Sequence, residues 1–215
     1  MNVTILCSDE MHPVNQYLNA WINKTGERHN ITVARSLSEL TGGDFLFLVS
    51  CSALVQAAHR DEYRHTLVLH ASDLPKGRGW SPHVWEIIDG CEAITLSLIE
   101  AEDKVDTGRI WLQRKIPIKK TALWNEVNHL LFTAEIELLE ETLSIYKEIT
   151  PRAQDQNVAP TYRRKRTPQD SRIDPLISIR DQFDLIRISD PERYPAWFEV
   201  EGQKFKLVLE KIEDD

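Results

Sequence analysis

Two short apolar runs restrict this fold more than anything else in the chain. Phe45 to Val49 (FLFLV) and Thr66 to Leu69 (TLVL) are continuous rather than alternating. A strand without alternation is covered on both faces, as in a parallel sheet packed between helices. Val3 to Leu6 and Ile31 to Val33 read as two further strands, with apolar residues at helical spacing between them from Val14 to Ile22. Strand, helix, strand in that order is the start of an α/β unit.

With 215 residues, 41% of them hydrophobic, the chain has room for one α/β domain and a short appendage. Its net charge of -8 argues against a broad nucleic-acid surface. The N-terminus, MNVTILCSDE, has no basic region or small-residue cleavage site, and no apolar run approaches a membrane span. Cys7, Cys51 and Cys91 are odd in number and widely separated. A reducing, cytoplasmic setting is expected, with no membrane partner and no metal.

Punctuation divides the rest. Ser81 and Pro82 look like an N-cap and first helical position, with the helix running to Asp89 before Gly90. Ala93 to Leu98 and Arg109 to Ile116 read as strands joined by the charged loop from Glu100. Thr121 to about Glu148 carries a helical apolar stripe from Leu123 through Leu130 and Leu138 to Ile145, expected to be core. Beyond Pro151 the segment Arg152 to Thr161 is polar and aperiodic, and Arg163 to Arg166 is a basic run expected to be a solvated arm. Ile177 to Ile188 suggests a short helix, and Ala196 to Val200 with Phe205 to Leu209 flank Glu201 and Gly202 as a hairpin. The expected fold is therefore a Rossmann-like, mostly parallel twisted sheet with flanking helices, then a long helix and a small helix and hairpin extension. The division falls at 1–150 and 151–215.

Chemistry concentrates at two strand tips. LVLHASDLPKGRGWSP, Leu67 to Pro82, brings His70 to the end of a buried strand and follows it with a glycine-rich turn; VDTGRI, Val105 to Ile110, sets Asp106 before another. Ligands of open α/β sheets bind outside the carboxyl ends of the strands. An imidazole there is a natural general base, since it titrates near neutral pH. Taken alone, His70 at a strand end is more often a structural hydrogen-bonder, and Asp106 before Gly108 a turn residue. Gly77 to Gly79 lack the spacing of a phosphate cradle. Cys51 has no adjacent base, and buried cysteine is usually inert.

Taken together, His70, Leu74, Pro75, Arg78, Gly79, Asp106, Gly108 and Ile110 resemble the formyltransferases that use N10-formyltetrahydrofolate. RRKRTPQDSRID, LIR and YPAWFEVEGQKFKL are similar to the segment that follows the catalytic domain there. GRGWSP and YPAWF look most like the nucleotide-sugar N-formyltransferases of bacterial surface-glycan synthesis. The brevity of the chain suits them, since a methionyl-tRNA formyltransferase would carry an additional barrel domain of roughly a hundred residues.

The resemblance implies formyl transfer to the amine of a UDP- or dTDP-linked amino-deoxy sugar, with a 4-amino trideoxyhexose as the best guess. It assigns catalysis to His70 and Asp106, with Asp106 orienting the imidazole or the amine. Reduced folate would lie against Leu74, Pro75, Gly77, Arg78 and Gly79, with Asp103 and Val105 in the loop that meets the pterin edge. His12, Trp80 and Arg166 are candidates for the acceptor, Arg166 through a pyrophosphate. One departure stands out: the asparagine expected two positions before His70 is Val68, which can donate nothing to an oxyanion. His70 itself, a backbone N–H near Ala71 or Ser72, or the hydroxyl of Ser50 or Ser52 would have to serve instead. Two alternatives follow: an aminoacyl-tRNA or carrier-bound amino acid as acceptor, or a folate-binding module without turnover. Trp197, Phe198 and Phe205 could pack against a second subunit or against the main domain, and the resemblance implies a homodimer.

Overall fold

In the computed structural model, residues 1–26 and 28–212 are described. The chain runs β1 (Asn2–Leu6), α1 (Val14–Thr25), β2 (Asn30–Ala34), β3 (Gly43–Leu48), α2 (Ala57–Arg60) and β4 (Tyr63–His70). It continues through β5 (Arg78–Gly79), α3 (Pro82–Ile88), β6 (Ala93–Glu100), β7 (Ile110–Pro117) and α4 (Trp124–Ile145). The last part holds β8 (Tyr162–Arg163), α5 (Phe183–Arg187), β9 (Ala196–Val200) and β10 (Gln203–Leu207).

Six strands form one sheet in the order β2-β1-β3-β4-β6-β7. The first four pair in parallel, whereas β4 with β6 and β6 with β7 are antiparallel. The sheet is therefore mixed, with a parallel half where the apolar runs were found. Phe45, Leu46, Phe47 and Leu67 are wholly buried, which accounts for their lack of alternation. Helices α1 and α4 close one face: Val14 and Leu18 meet Val127, Leu131, Leu138 and Leu139 in a common core. Leu130 belongs to the predicted stripe but is exposed. Glu126 accepts the N–H of Leu123 at 2.8 Å and so satisfies a donor at the start of α4.

Several boundaries differ from the sequence reading, among them α4, which spans Trp124–Ile145 rather than Thr121 to about Glu148, and β10, which spans Gln203–Leu207 rather than Phe205 to Leu209. Ser81 precedes α3 in the left-handed region, φ 43°, and makes no side-chain cap, so Pro82 alone starts the helix. Only Phe183–Arg187 of the Ile177 to Ile188 segment is helical, held by the buried guanidinium of Arg187, which donates to the Ala122 carbonyl at 2.9 Å and to Asp184 at 2.6 Å.

The segment after Pro151 is fastened to the first body rather than free of it. β8 pairs in parallel with β5, and Arg152 forms an antiparallel bridge with Ile110. Each residue of the basic run has a fixed partner, which corrects the expectation of a solvated arm. Arg163 pairs with Asp89. Arg164 lies over Trp85, Lys165 over Trp80 and Arg166 over Tyr194, at 5.1, 4.9 and 5.8 Å. No helix among the described residues is long and apolar enough to cross a membrane.

Candidate active site

His70 ends β4 and Asp106 lies in the loop before β7. β6 runs antiparallel to β4 and ends with Glu100 opposite Leu67; the loop that follows starts beside the middle of β4 and folds back along it, so residues 36 positions apart in the sequence meet. His70 Nδ1 stands 3.5 Å from Asp106 Oδ1, with both side chains at least nine-tenths buried. The other ring nitrogen, Nε2, is 2.8 Å from the Gly77 carbonyl. A carbonyl only accepts, so Nε2 carries the hydrogen and Nδ1 is the edge left to take a proton. The second carboxylate oxygen of Asp106 accepts the N–H of Gly79 at 2.7 Å. One turn, Gly77 to Gly79, thereby orients both members of the pair, the base through its carbonyl and the acid through its N–H.

That turn is itself held from outside. Gly77 N–H donates to Thr161 Oγ1 at 2.8 Å, Arg78 N–H to the Thr161 carbonyl at 2.9 Å, and Trp80 N–H to the Arg163 carbonyl at 2.9 Å. The approach is close enough that a Cβ on Gly79, whose φ is +97°, would sit 2.3 Å from the Arg163 oxygen. Glycine is needed here for the chain to pack on itself. Gly108 serves the same end, since a Cβ there would overlap the Glu100 carbonyl.

His70 and Asp106 open onto a cavity of about 840 Å³, a size suited to an organic cosubstrate. His12, Gly79, Trp80, Val105 and Arg166 also line it. Leu74, Pro75, Gly77, Arg78 and Asp103 do not. Leu74 packs with Ile99 and Ile110. Pro75 and Arg78 border a smaller cavity of about 360 Å³ on another side. The Arg78 guanidinium is spent on Gln154 and the Tyr162 hydroxyl, tying the post-Pro151 segment down. Asp103 is mostly exposed and pairs with Arg60 at 2.5 Å. The residues of this loop that line the cavity are Glu100, Ala101, Glu102, Val105 and Asp106.

Val68 lies two residues before His70 on the same strand face, lines the cavity, and packs against Leu74, Ile99 and Ile110. Of the substitutes for the missing donor, the Ser72 N–H is already given to the His70 carbonyl at 3.0 Å, and the Ser52 hydroxyl faces that of Ser8 at 3.2 Å. Ser50 and Ala71 remain on the cavity wall.

Burial tunes several lining groups. His12 accepts the Val14 N–H at Nδ1, and desolvation, helped by Arg193, lowers its pKa to about 4. His83 is likewise pushed down to about 4, chiefly by desolvation and then by the charges of His70, His12 and Arg166. Desolvation raises Glu135 to about 8 and lowers Arg166 from its ordinary value. Arg166 donates to Ser171 Oγ at 2.9 Å, leaving its Nε without a partner. Sequence reasoning missed His83 and Glu135. The available signal was a carboxylate inside an apolar stripe, four residues from both Leu131 and Leu139.

A family model described as Formyl transferase matches residues 1–143. The methionyl-tRNA formyltransferase of Ruegeria pomeroyi is 30% identical over 178 residues, 80% of this chain and 57% of that protein. The chain thus spans little more than half the length of that curated relative. Among solved structures, a methionyl-tRNA formyltransferase from Clostridium thermocellum superposes with a TM-score of 0.84 at 21% identity, covering 99% of this chain and 94% of its own. A sugar N-formyltransferase from Shewanella gives 0.72 at 15% identity, covering 99% of both chains. HypX from Aquifex aeolicus in complex with tetrahydrofolic acid gives 0.80 at 19% identity, covering 96% of this chain and 37% of its own. A methionyl-tRNA formyltransferase and a sugar N-formyltransferase thus share this fold over nearly the whole of their solved chains.

Proposed function

The chain belongs to the formyl transferase family, and from that premise we propose that it moves a formyl group from N10-formyltetrahydrofolate to a primary amine, with a nucleotide-linked amino-deoxy sugar as acceptor. One observation carries the reading: the proton-accepting edge of His70 faces the Asp106 carboxylate at 3.5 Å on the wall of a ligand-sized cavity.

The cavity suits a folate. Leu48, Val55 and Val68 offer an apolar wall, and the backbone from Glu100 to Val105 offers donors and acceptors along the edge of a flat ring. When bound, the folate supplies an acyl group already activated on nitrogen. The chain does the rest. His70 Nδ1 takes the proton the amine must lose on acylation and returns it to the N10 nitrogen as the bond to the formyl carbon breaks and tetrahydrofolate leaves, while the Gly77 carbonyl holds the Nε2 hydrogen and fixes the tautomer. Asp106 steadies the positive charge the ring then acquires, and its own orientation is set by Gly79. The Ala71 N–H and the Ser50 hydroxyl are our candidates for the donor facing the formyl oxygen.

Arg166, Lys165 and Arg193 give the cavity a basic rim suited to the phosphates of a nucleotide. Arg166 and Trp80 are candidate contacts on that side, and His12, neutral at pH 7, lines the same cavity. Similarity to curated methionyl-tRNA formyltransferases favours methionyl-tRNA as a second acceptor. Purified protein supplied with the folate donor and each acceptor in turn separates the two, by which one is formylated. In the active pairing His70→Asn retains folate binding and loses the rate by about 10²-fold or more; near-normal turnover would exclude His70 as the base.

A further inference from the structure

Trp124, Asn128, Leu131, Phe132 and Glu135 recur at helical spacing along one face of α4, and all five line the cavity. Glu135 is the anomaly among them. It is 7% exposed, yet its Oε2 has no hydrogen-bond partner. His83, on α3, lines the same cavity with its Nδ1 buried and equally unpartnered. Burial keeps both uncharged at neutral pH, the carboxyl holding its proton to about 8 and the imidazole releasing its own by about 4. Unpaired polar groups inside a fold are destabilising; both atoms are closed to solvent as the chain stands, and a ligand in the cavity that these residues line satisfies them when each side chain turns toward it.

We infer that Glu135 and His83 form a recognition subsite for the neutral, hydroxylated ring of the acceptor, separate from the His70 and Asp106 pair. A protonated carboxyl and a neutral imidazole each offer one donor and one acceptor, which is also what a ring hydroxyl offers. A phosphate would call for the cationic rim instead. An apolar acceptor such as a methionyl side chain would leave both groups unpaired, and sites built on buried hydrogen-bonding groups reject such analogues strongly. The inference deepens the sugar reading and rests on it.

The test is calorimetric titration of the folate-free protein, so that it reads binding even if no formyl is transferred. The probes are a dTDP-linked 4-amino-deoxyhexose with its free ring hydroxyls and a counterpart lacking one of them. Wild type is expected to prefer the hydroxylated sugar by at least tenfold, Glu135→Gln to keep the preference, and Glu135→Leu and His83→Leu each to shrink it below threefold. Glu135→Leu should also melt at a higher temperature, because an unsatisfied carboxyl has been removed. Equal affinities in wild type, or a preference that survives both leucine substitutions, overturns the subsite. If Glu135→Leu does not fold, His83→Leu on a different helix decides. Loss of formyl transfer with the binding preference intact would refute the enzymatic reading alone.

Discussion

Gly79→Ala and Gly90→Ala together measure how tightly the catalytic turn is braced. Both glycines have positive φ, +97° and +88°, but a Cβ at Gly90 meets nothing within 4 Å whereas one at Gly79 meets the Arg163 carbonyl at 2.3 Å. Gly90→Ala should therefore cost only the left-handed backbone penalty of about 1–2 kcal/mol. Gly79→Ala bears the same penalty and also drives β5 from β8. That breaks the Trp80 N–H to Arg163 hydrogen bond and the Gly79 N–H to Asp106 hydrogen bond, the first worth about 1 kcal/mol and the second, being made to a carboxylate, about 1.5–3 kcal/mol. The expected losses are about 1–2 kcal/mol for Gly90→Ala and about 3.5–6 kcal/mol for Gly79→Ala. Thermal melts of a chain this size resolve the two, at about 2–4 °C per kcal/mol. Gly90→Ala should keep its formyl-transfer rate, and Gly79→Ala should lose most of it even below its own melting range. Melting temperatures within about 3 °C of each other with equal rates would show that β8 does not hold the turn.

Further tests address the same architecture. Thr161→Val removes the acceptor of the Gly77 N–H; it should lower kcat about tenfold with little change in KM for the folate, and Thr161→Ser should restore the rate. A purely structural role would lower stability and leave kcat alone. For pH, folded Glu135 keeps its proton to about 8 while the unfolded chain releases it near 4.5. Its contribution is therefore complete below pH 4.5 and is lost as pH rises through about 8, at about 1.4 kcal/mol per unit within that window. Denaturant melts of wild type and Glu135→Gln between pH 5 and 8 should diverge by that slope; parallel curves would contradict the raised value.

The parallel half of the sheet was legible because burial on both faces leaves a plain sign, an unbroken run such as FLFLV. His70 and Asp106 were legible because each ends an apolar segment and precedes a glycine turn. What holds them was not. β5 and β8 are two residues each and lie more than 80 positions apart, too short for a period and too distant for a turn signal. The basic run of Arg163 to Arg166 looked solvated because its aromatic partners, Trp80, Trp85 and Tyr194, are scattered through the sequence. Arg78 fell inside the recognised motif, yet its guanidinium is consumed by Gln154 and Tyr162. Glu135 was hidden by the apolar stripe that surrounds it.

The most direct measurement of the central claim follows an isotope. Purified protein is given N10-formyltetrahydrofolate labelled with carbon-13 in the formyl group and a dTDP-linked amino-deoxy sugar, and the label is traced by NMR in wild type and Asp106→Ala. Appearance of the label in a formamide on the sugar nitrogen, one per tetrahydrofolate released and only in wild type, is the predicted result. Label that stays on the folate, or that moves equally well without Asp106, would contradict it.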